Sequence, residues 1–192
     1  KPTVVVINEA VTDPQRDWSD NAGGDGVAFN SAPGNGSITD TDEWIELYNA
    51  GTTAVNLQAG AGWTLGMTDS ATATINFLDP GSTVFVFSNG GLLTNFKPGE
   101  YLVIGNPPDA LNNDVYLVLK NPDGMTVDDV EIGDNPEGDT ASDGAPDGGT
   151  SDGNATGLDD EAVARAPNAT DSNNDPADFE KQPATIGSAN HP

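Results

Sequence analysis

Aspartate and asparagine make up 42 of the 192 residues, and in three places their spacing suits a hard cation. Ca²⁺ takes about six to eight oxygens from carboxylates, amide carbonyls and backbone. Asp171-Ser172-Asn173-Asn174-Asp175 sets an oxygen-bearing side chain at every second residue, the spacing of the first three ligands of a calcium loop, and Asp178 adds another carboxylate. The next required positions are Pro176 and Gln182 where an EF-hand needs Gly and Glu, so this is not an EF-hand. The second group is Asp13, Asp17, Asp20, Asn21 and Asp25, closed by Asp40 and Asp42. The third is Asp139, Asp143, Asp147 and Asp152, separated by Gly-containing spacers. Loops of this composition also occur as plain solvated surface. What favours structural calcium is the formal net charge of -25, because repulsion of that size opposes a compact chain. The predicted metal ligands are Asp17, Asp20, Asp25, Asp171, Asn173, Asp175 and Asp178.

Other chemistry finds little support. There is no cysteine, which excludes disulfides, thiolate metal sites and cysteine nucleophiles. The one histidine, His191, is the penultimate residue, a poor place for the rigidly oriented imidazole of a Ser–His–Asp device. Carboxylates are so frequent that no pair of them stands out. Neither a Gly-Lys-Ser/Thr phosphate cradle nor a dinucleotide fingerprint is present. Six Lys plus Arg against 31 Asp plus Glu exclude nucleic acid as a partner and disfavour anionic membrane surfaces. No apolar run is long enough to span a bilayer, and no signal peptide is evident, so the sequence reads as a mature or trimmed chain. Three Asn-x-Ser/Thr sequons, at Asn35, Asn154 and Asn168, match the number chance predicts. Trp18, in a polar stretch, offers a sugar-stacking ring. These readings favour a non-enzyme outside the cell.

The apolar residues that must position these groups come in short bursts. They are Val4–Ile7, Trp44–Tyr48, Ala54–Leu57, Gly62–Gly66, Ile75–Leu78, Val84–Phe87, Tyr101–Ile104, Val115–Leu119 and Val127–Ile132. Each is rich in β-branched or aromatic residues and bounded by Gly, Pro, Asn or Asp, as strands of an all-β sandwich are. In Trp44–Tyr48, Ile45 and Leu47 point one way and Trp44, Glu46 and Tyr48 the other. Gly and Pro, 37 of 192 residues, supply turns such as Asn121-Pro122-Asp123-Gly124. Ala162–Ala166 is the one place suited to a helical turn. The expected core is Ile45, Leu47, Trp63, Leu65, Val84, Val86, Leu102, Ile104, Val115 and Leu117. One domain over 1–192 is expected, with a polar insertion at 12–41 and an acidic Gly/Asp-rich loop at 133–161.

Several segments have a familiar order. Ile7-Asn8-Glu9-Ala10, Asp42-Glu43-Trp44-Ile45-Glu46-Leu47-Tyr48-Asn49-Ala50-Gly51, Gly62-Trp63-Thr64-Leu65, Pro98-Gly99-Glu100-Tyr101-Leu102-Val103-Ile104 and Leu111-Asn112-Asn113-Asp114-Val115 resemble the prokaryotic, secreted lamin tail domain family. Ala164-Arg165, Asp178-Phe179 and Ala184–Asn190 are similar to that family's C-terminal pattern. The resemblance implies an immunoglobulin-like antiparallel β-sandwich and leaves function open between two classes. The first is a non-catalytic extracellular structural or adhesion module, calcium-stabilised, forming a homo-oligomer or polymer at a cell surface or in a fibre. The second is an accessory domain that presents a ligand such as a surface glycan to a secreted hydrolase.

Overall fold

The computed structural model describes residues 4–69, 72–111, 115–133, 140–141 and 161–192. The third acidic group, Asp139 to Asp152, and the sequon at Asn154 lie outside the described residues. Among the described residues eleven strands form two sheets. In chain order they are β1 (Val5–Val11), β2 (Trp44–Asn49), β3 (Thr64–Asp69), β4 (Ala73–Asn76), β5 (Val84–Phe87), β6 (Tyr101–Gly105), β7 (Val115–Lys120), β8 (Thr126–Ile132), β9 (Thr140–Ala141), β10 (Glu161–Arg165) and β11 (Phe179–Pro183). One turn of helix, α1 (Asp175–Asp178), precedes β11. The first sheet runs β11-β10-β1-β2-β6-β5 and the second β4-β3-β7-β8-β9. Pairing is antiparallel except for the short β8–β9 contact. The architecture is a β-sandwich, as the punctuated apolar runs require.

Between the sheets lies one cluster of buried side chains, with Val5, Ile7, Ile45, Leu47, Leu65, Leu102, Ile104, Val115 and Leu117 all fully covered. Eight of the ten expected core residues are buried; Val84 and Val86 are half-buried, because β5 is an edge strand. The period-two reading places Trp44 and Glu46 on the outer face of the first sheet. That face is not solvated. Trp44 is fully buried there in a second cluster with Val11, Trp18, Phe29, Val103, Ala162 and Ile186. The insertion and the C-terminal segment form a third layer over it. Trp18 is 3% exposed and meets Trp44 edge-on at 5.7 Å, which corrects the sugar-stacking expectation: it is a core residue.

Two further expectations are corrected, and one strand is unexpected. Ala162–Ala166 is not a helical turn; residues 162–165 fall in β10, between β1 and β11, where burial of all four within a sheet outweighs the helix preference of alanine. Ala54–Leu57 is not a strand. Only Val55 pairs, with Phe96, while Leu57 N–H donates to the Leu93 carbonyl at 2.7 Å. And β11, Phe-Glu-Lys-Gln-Pro, carries too little apolar pattern to announce itself.

The insertion is pinned to the sheet by Phe29, 1% exposed, whose ring lies on Gly105 at the end of β6. A Cβ at Gly105 would stand 2.2 Å from that ring. Gly105→Ala is therefore expected to lower stability by about 1–3 kcal/mol, the usual cost of overpacking. Urea denaturation measures it, and a neutral result would show that Phe29 yields freely.

Candidate functional site

Polar side chains gather at three centres. The first begins with a bulge. In the β1–β2 ladder Ile7 faces Leu47, but the next pair is Glu9 with Glu46, so Asn8 is the extra residue. A bulge shifts the side-chain alternation by one. It turns Glu9 from the inner face to the outer one, opposite Glu46, while Ala10 enters the inner core. Both glutamates are 0% exposed. The C-terminal segment closes over them. Thr185 donates its backbone N–H to Glu9 Oε1 at 2.7 Å and its hydroxyl to Oε2 at 2.8 Å; Gly187 N–H donates to Glu46 Oε2 at 2.7 Å. Asn8 Nδ2 donates to Glu46 Oε1 at 3.0 Å and to Asn190 Oδ1 at 3.1 Å. Asn190 in turn donates to the carbonyls of Asn8 and Arg165, both at 3.0 Å. Burial first, and the Glu9 charge second, push the Glu46 carboxyl well above its ordinary range. Tyr101 nearby is pushed up to about 12, by burial and then by Tyr48 and Glu46. The two glutamates form one buried pair of like groups. It works as a latch: every carboxyl oxygen accepts from the overlying segment or from Asn8.

The second centre surrounds Arg165, 1% exposed at the end of β10. Its Nη2 donates to both oxygens of Asp128 at 3.0 Å, its Nε to the Ile7 carbonyl at 2.7 Å, and its Nη1 to the Thr170 carbonyl. Asp178 Oδ2 lies 3.5 Å and Asp171 Oδ1 4.0 Å from Nη1, and the guanidinium stacks 4.5 Å above the Phe179 ring. Asp128 also accepts the Ile7 N–H at 2.6 Å. Burial pushes its carboxyl up to about 6, against the opposing pull of Arg165. This one cation joins β8 in the second sheet to β10 and β1 in the first.

Here the first predicted calcium loop comes to rest. Asp178 accepts Ser172 N–H at 2.6 Å and the Ser172 hydroxyl at 2.7 Å. Asp175 accepts Glu131 N–H at 2.9 Å across the sandwich, and Asp171 accepts Asn173 N–H at 3.2 Å in an Asx turn. Asn173 itself is exposed, with φ 56°. Asp171 and Asp178 share Arg165.

The third centre is the insertion. Asp17, 1% exposed, accepts the backbone N–H groups of Asn21 at 2.9 Å, Ala22 at 3.2 Å and Gly36 at 2.7 Å, and the Ser19 hydroxyl at 3.3 Å. Burial alone would raise its pKa; these donors outweigh burial and hold it below the usual range. Asp42 accepts Ser19 N–H at 2.8 Å and Thr39 N–H at 2.8 Å, tying both ends of the insertion together. Asp20 accepts Gly26 N–H through Oδ2, while its enclosed Oδ1 accepts nothing among the described residues. Asp17 Oδ2, the Ala22 carbonyl and Asp20 Oδ1 all lie within 2.8 Å of the point a Cβ on Gly34 would occupy. Asp25 is exposed and accepts Val27 N–H at 3.0 Å and the Asn30 amide. The seven predicted ligands thus fall into two loops, those of the insertion bonding within it and those of the C-terminal loop reaching Arg165 and the Glu131 amide. Among the described residues no three Asp, Glu or His side chains gather as a metal cluster, so a cation in either loop needs amide and backbone oxygens.

Beside the third centre a groove of about 310 Å³ runs between Arg16, Trp18, Pro33, Thr185, Ile186 and Ser188.

A family model described as Lamin Tail Domain matches residues 1–134. The chain belongs to the lamin tail domain family. Among curated proteins and solved structures none matches it. The matched part of this lamin tail domain holds β1–β8, including Asn8, Glu9, Glu46 and Asp128. Their partners Arg165, Thr185, Gly187 and Asn190 lie beyond it. An immunoglobulin-like sandwich of this family is compatible with a non-catalytic module. Sequence reasoning missed Glu9, Glu46, Asp128 and Arg165. One signal was available: Glu46 shares its face with Trp44, and a face that carries a buried tryptophan must be covered.

Proposed function

We propose that this lamin tail domain is a non-catalytic structural module of the cell exterior, stiffened by calcium and associating with copies of itself. One observation carries the reading. The side chains able to do chemistry are spent on holding segments together: Glu9 and Glu46 latch the C-terminal segment, Asp17 and Asp42 order the insertion, and Asp128, Asp175 and Asp178 join α1, β8 and β10. Each accepts backbone N–H groups from elsewhere in the chain. A carboxylate so saturated is a staple. The result is a rigid three-layer body, suited to bearing load or displaying a surface.

Calcium fits best at the insertion, where Asp20 Oδ1 has no donor and Asp17 Oδ2 and the Ala22 carbonyl converge beside it. At the C-terminal loop Arg165 already supplies positive charge to Asp171 and Asp178. Extracellular modules bind Ca²⁺ with dissociation constants of about 10⁻⁴–10⁻³ M. At about 1 mM free ion one site then adds roughly 0.4–1.4 kcal/mol of stability. Calorimetry is expected to show a higher melting temperature in millimolar Ca²⁺ than in EDTA, with Asp20→Asn removing most of the difference. Equal melting temperatures, with no calcium in the purified protein, would overturn the calcium reading.

A further inference from the structure

We infer that β5 is the edge through which two copies of this chain pair, β5 against β5, across a two-fold axis normal to the sheet. The inference rests on the self-association proposed above and names its surface.

A sandwich leaves four strand edges, here β11 and β5 in one sheet and β4 and β9 in the other. An open edge is a template for another strand unless charge, proline or extreme shortness blunts it. In β11, Glu180, Lys181 and Pro183 do so. β9 has two residues. In β4 the one large apolar side chain, Ile75, is 2% exposed, and Thr74 and Asn76 give an incoming strand nothing apolar to cover. β5 has no such protection. Val84-Phe85-Val86-Phe87 is apolar on both faces, without charge or proline, and all four residues are half-buried. Its ladder with β6 continues through Ser88, whose N–H donates to the Tyr101 carbonyl at 3.1 Å. Beside it a groove of about 370 Å³ is lined by Phe85, Phe87, Leu92 and Leu93. Leu92, at 63%, is the most exposed large apolar residue among those described.

The distribution of charge selects a second copy as the occupant. Two chains of charge -25 repel, so a self-interface must lie where the charge is not. Of the 31 acidic residues only Asp69, Asp79 and Glu100 fall between residues 47 and 108, a stretch that also holds Lys97. That stretch builds the β5 flank. Phe77, next to β4, stacks on Phe85 at 5.3 Å, so the β4 and β5 edges lie side by side, with Leu78 exposed at 45% close by. β9 and β10 lie toward the opposite flank, away from β5.

The strand's own pattern limits the register. Phe85 and Phe87 pack toward the inner cluster, Val84 and Val86 toward the outer one. A two-fold normal to the sheet preserves faces. Centred on Val86, it sets Val86 opposite Val86 and Phe85 opposite Phe87, joining the two six-stranded sheets into one. Opposed Cα atoms of antiparallel strands stand about 4.5–5.5 Å apart. That lies within the span of a disulfide, about 4.4–6.8 Å.

The chain has no cysteine, so an introduced thiol stands alone. The test is sedimentation velocity of the full chain in calcium and salt up to millimolar protein, with oxidative cross-linking of Val86→Cys and of Met125→Cys as the comparison. Met125 is 49% exposed at the turn before β8, a strand of the other sheet. The wild type is expected to form dimers that strengthen as salt screens the charge. Val86→Cys is expected to cross-link at least about tenfold faster than Met125→Cys, as a thiol held at high effective concentration does. Val86→Glu, checked for its fold by circular dichroism, sets two carboxylates face to face and is expected to weaken the dimer by about a hundredfold or more. If the wild type dimerises but Val86→Cys cross-links no faster than Met125→Cys, the β5 interface is wrong and self-association stands. If the wild type remains monomeric throughout, self-association itself falls and β5 with it.

Discussion

Arg165→Met is expected to cost the fold about 3–5 kcal/mol at neutral pH, the usual loss when one partner of a buried ion pair is removed. Domain stabilities of about 5–15 kcal/mol make that a large fraction of the whole. The methionine fills much of the volume but leaves Asp128 buried opposite nothing, with Asp178 and Asp171 close behind. The carbonyls of Ile7 and Thr170 lose their donors as well. Arg165→Lys keeps the charge and loses the fork that grips both Asp128 oxygens while reaching Ile7, so an intermediate loss is expected. Urea denaturation gives the differences. The Arg165→Met loss should shrink at pH 5, where Asp128 takes up a proton. Adding Asp128→Leu should recover much of it, since a buried ion pair is replaceable by apolar groups of similar volume. A loss under about 1 kcal/mol at pH 7.5, the worth of a surface pair, would show that Arg165 does not join the sheets.

The second large effect is a stability that falls as pH rises through neutrality. Asp128 is pushed up to about 6 in the folded chain from an ordinary 3.8, and Glu46 is raised well above its ordinary range. A carboxyl whose folded pKa is raised contributes stability that is full below the unfolded value and is lost as pH rises through the folded one. For Asp128 the shift is about two units, worth roughly 3 kcal/mol between pH 4 and 7. Glu46 adds loss of the same sign over a window opening above its ordinary value. Asp17 acts oppositely: its lowered pKa contributes stability above 3.8 that is lost as pH falls further. The melting temperature is therefore expected to peak near pH 4–5 and decline toward pH 8 in physiological salt. Glu46→Gln removes one of the two buried like charges and leaves an acceptor for Gly187 N–H. It is expected to raise the melting temperature at pH 8 and to flatten its decline. A melting temperature that climbs steadily from pH 4.5 to 8 would show that burial does not raise the Glu46 and Asp128 carboxyls.

Much of this was legible in the sequence because it depends on local pattern. Short apolar bursts between turn residues specify strands, and period two specifies which side of β2 meets the inner core. Both follow from the geometry of a single strand, so Ile45, Leu47, Leu65, Leu102 and Leu117 were placed in the core from spacing alone. The order of motifs gave the family. Composition was as informative about what the carboxylates could not be, since too few cations exist to neutralise them.

What each carboxylate does was settled only by tertiary structure. Alternation along β1 would send Glu9 inward; the extra residue at Asn8 reverses it, and a bulge is a property of the pairing of two strands. Asp171, Asp175 and Asp178 have the spacing of a cation loop, but the groups they meet, Arg165 and the Glu131 amide, arrive from strands up to 44 residues away in the chain. Trp18 sits in a polar stretch and yet is buried, because Trp44 needs cover on a face that spacing alone leaves open. Periodicity encodes direction relative to one strand's own axis. It carries no record of what a third segment lays over that strand, and in this chain the third layer decides which acids are staples.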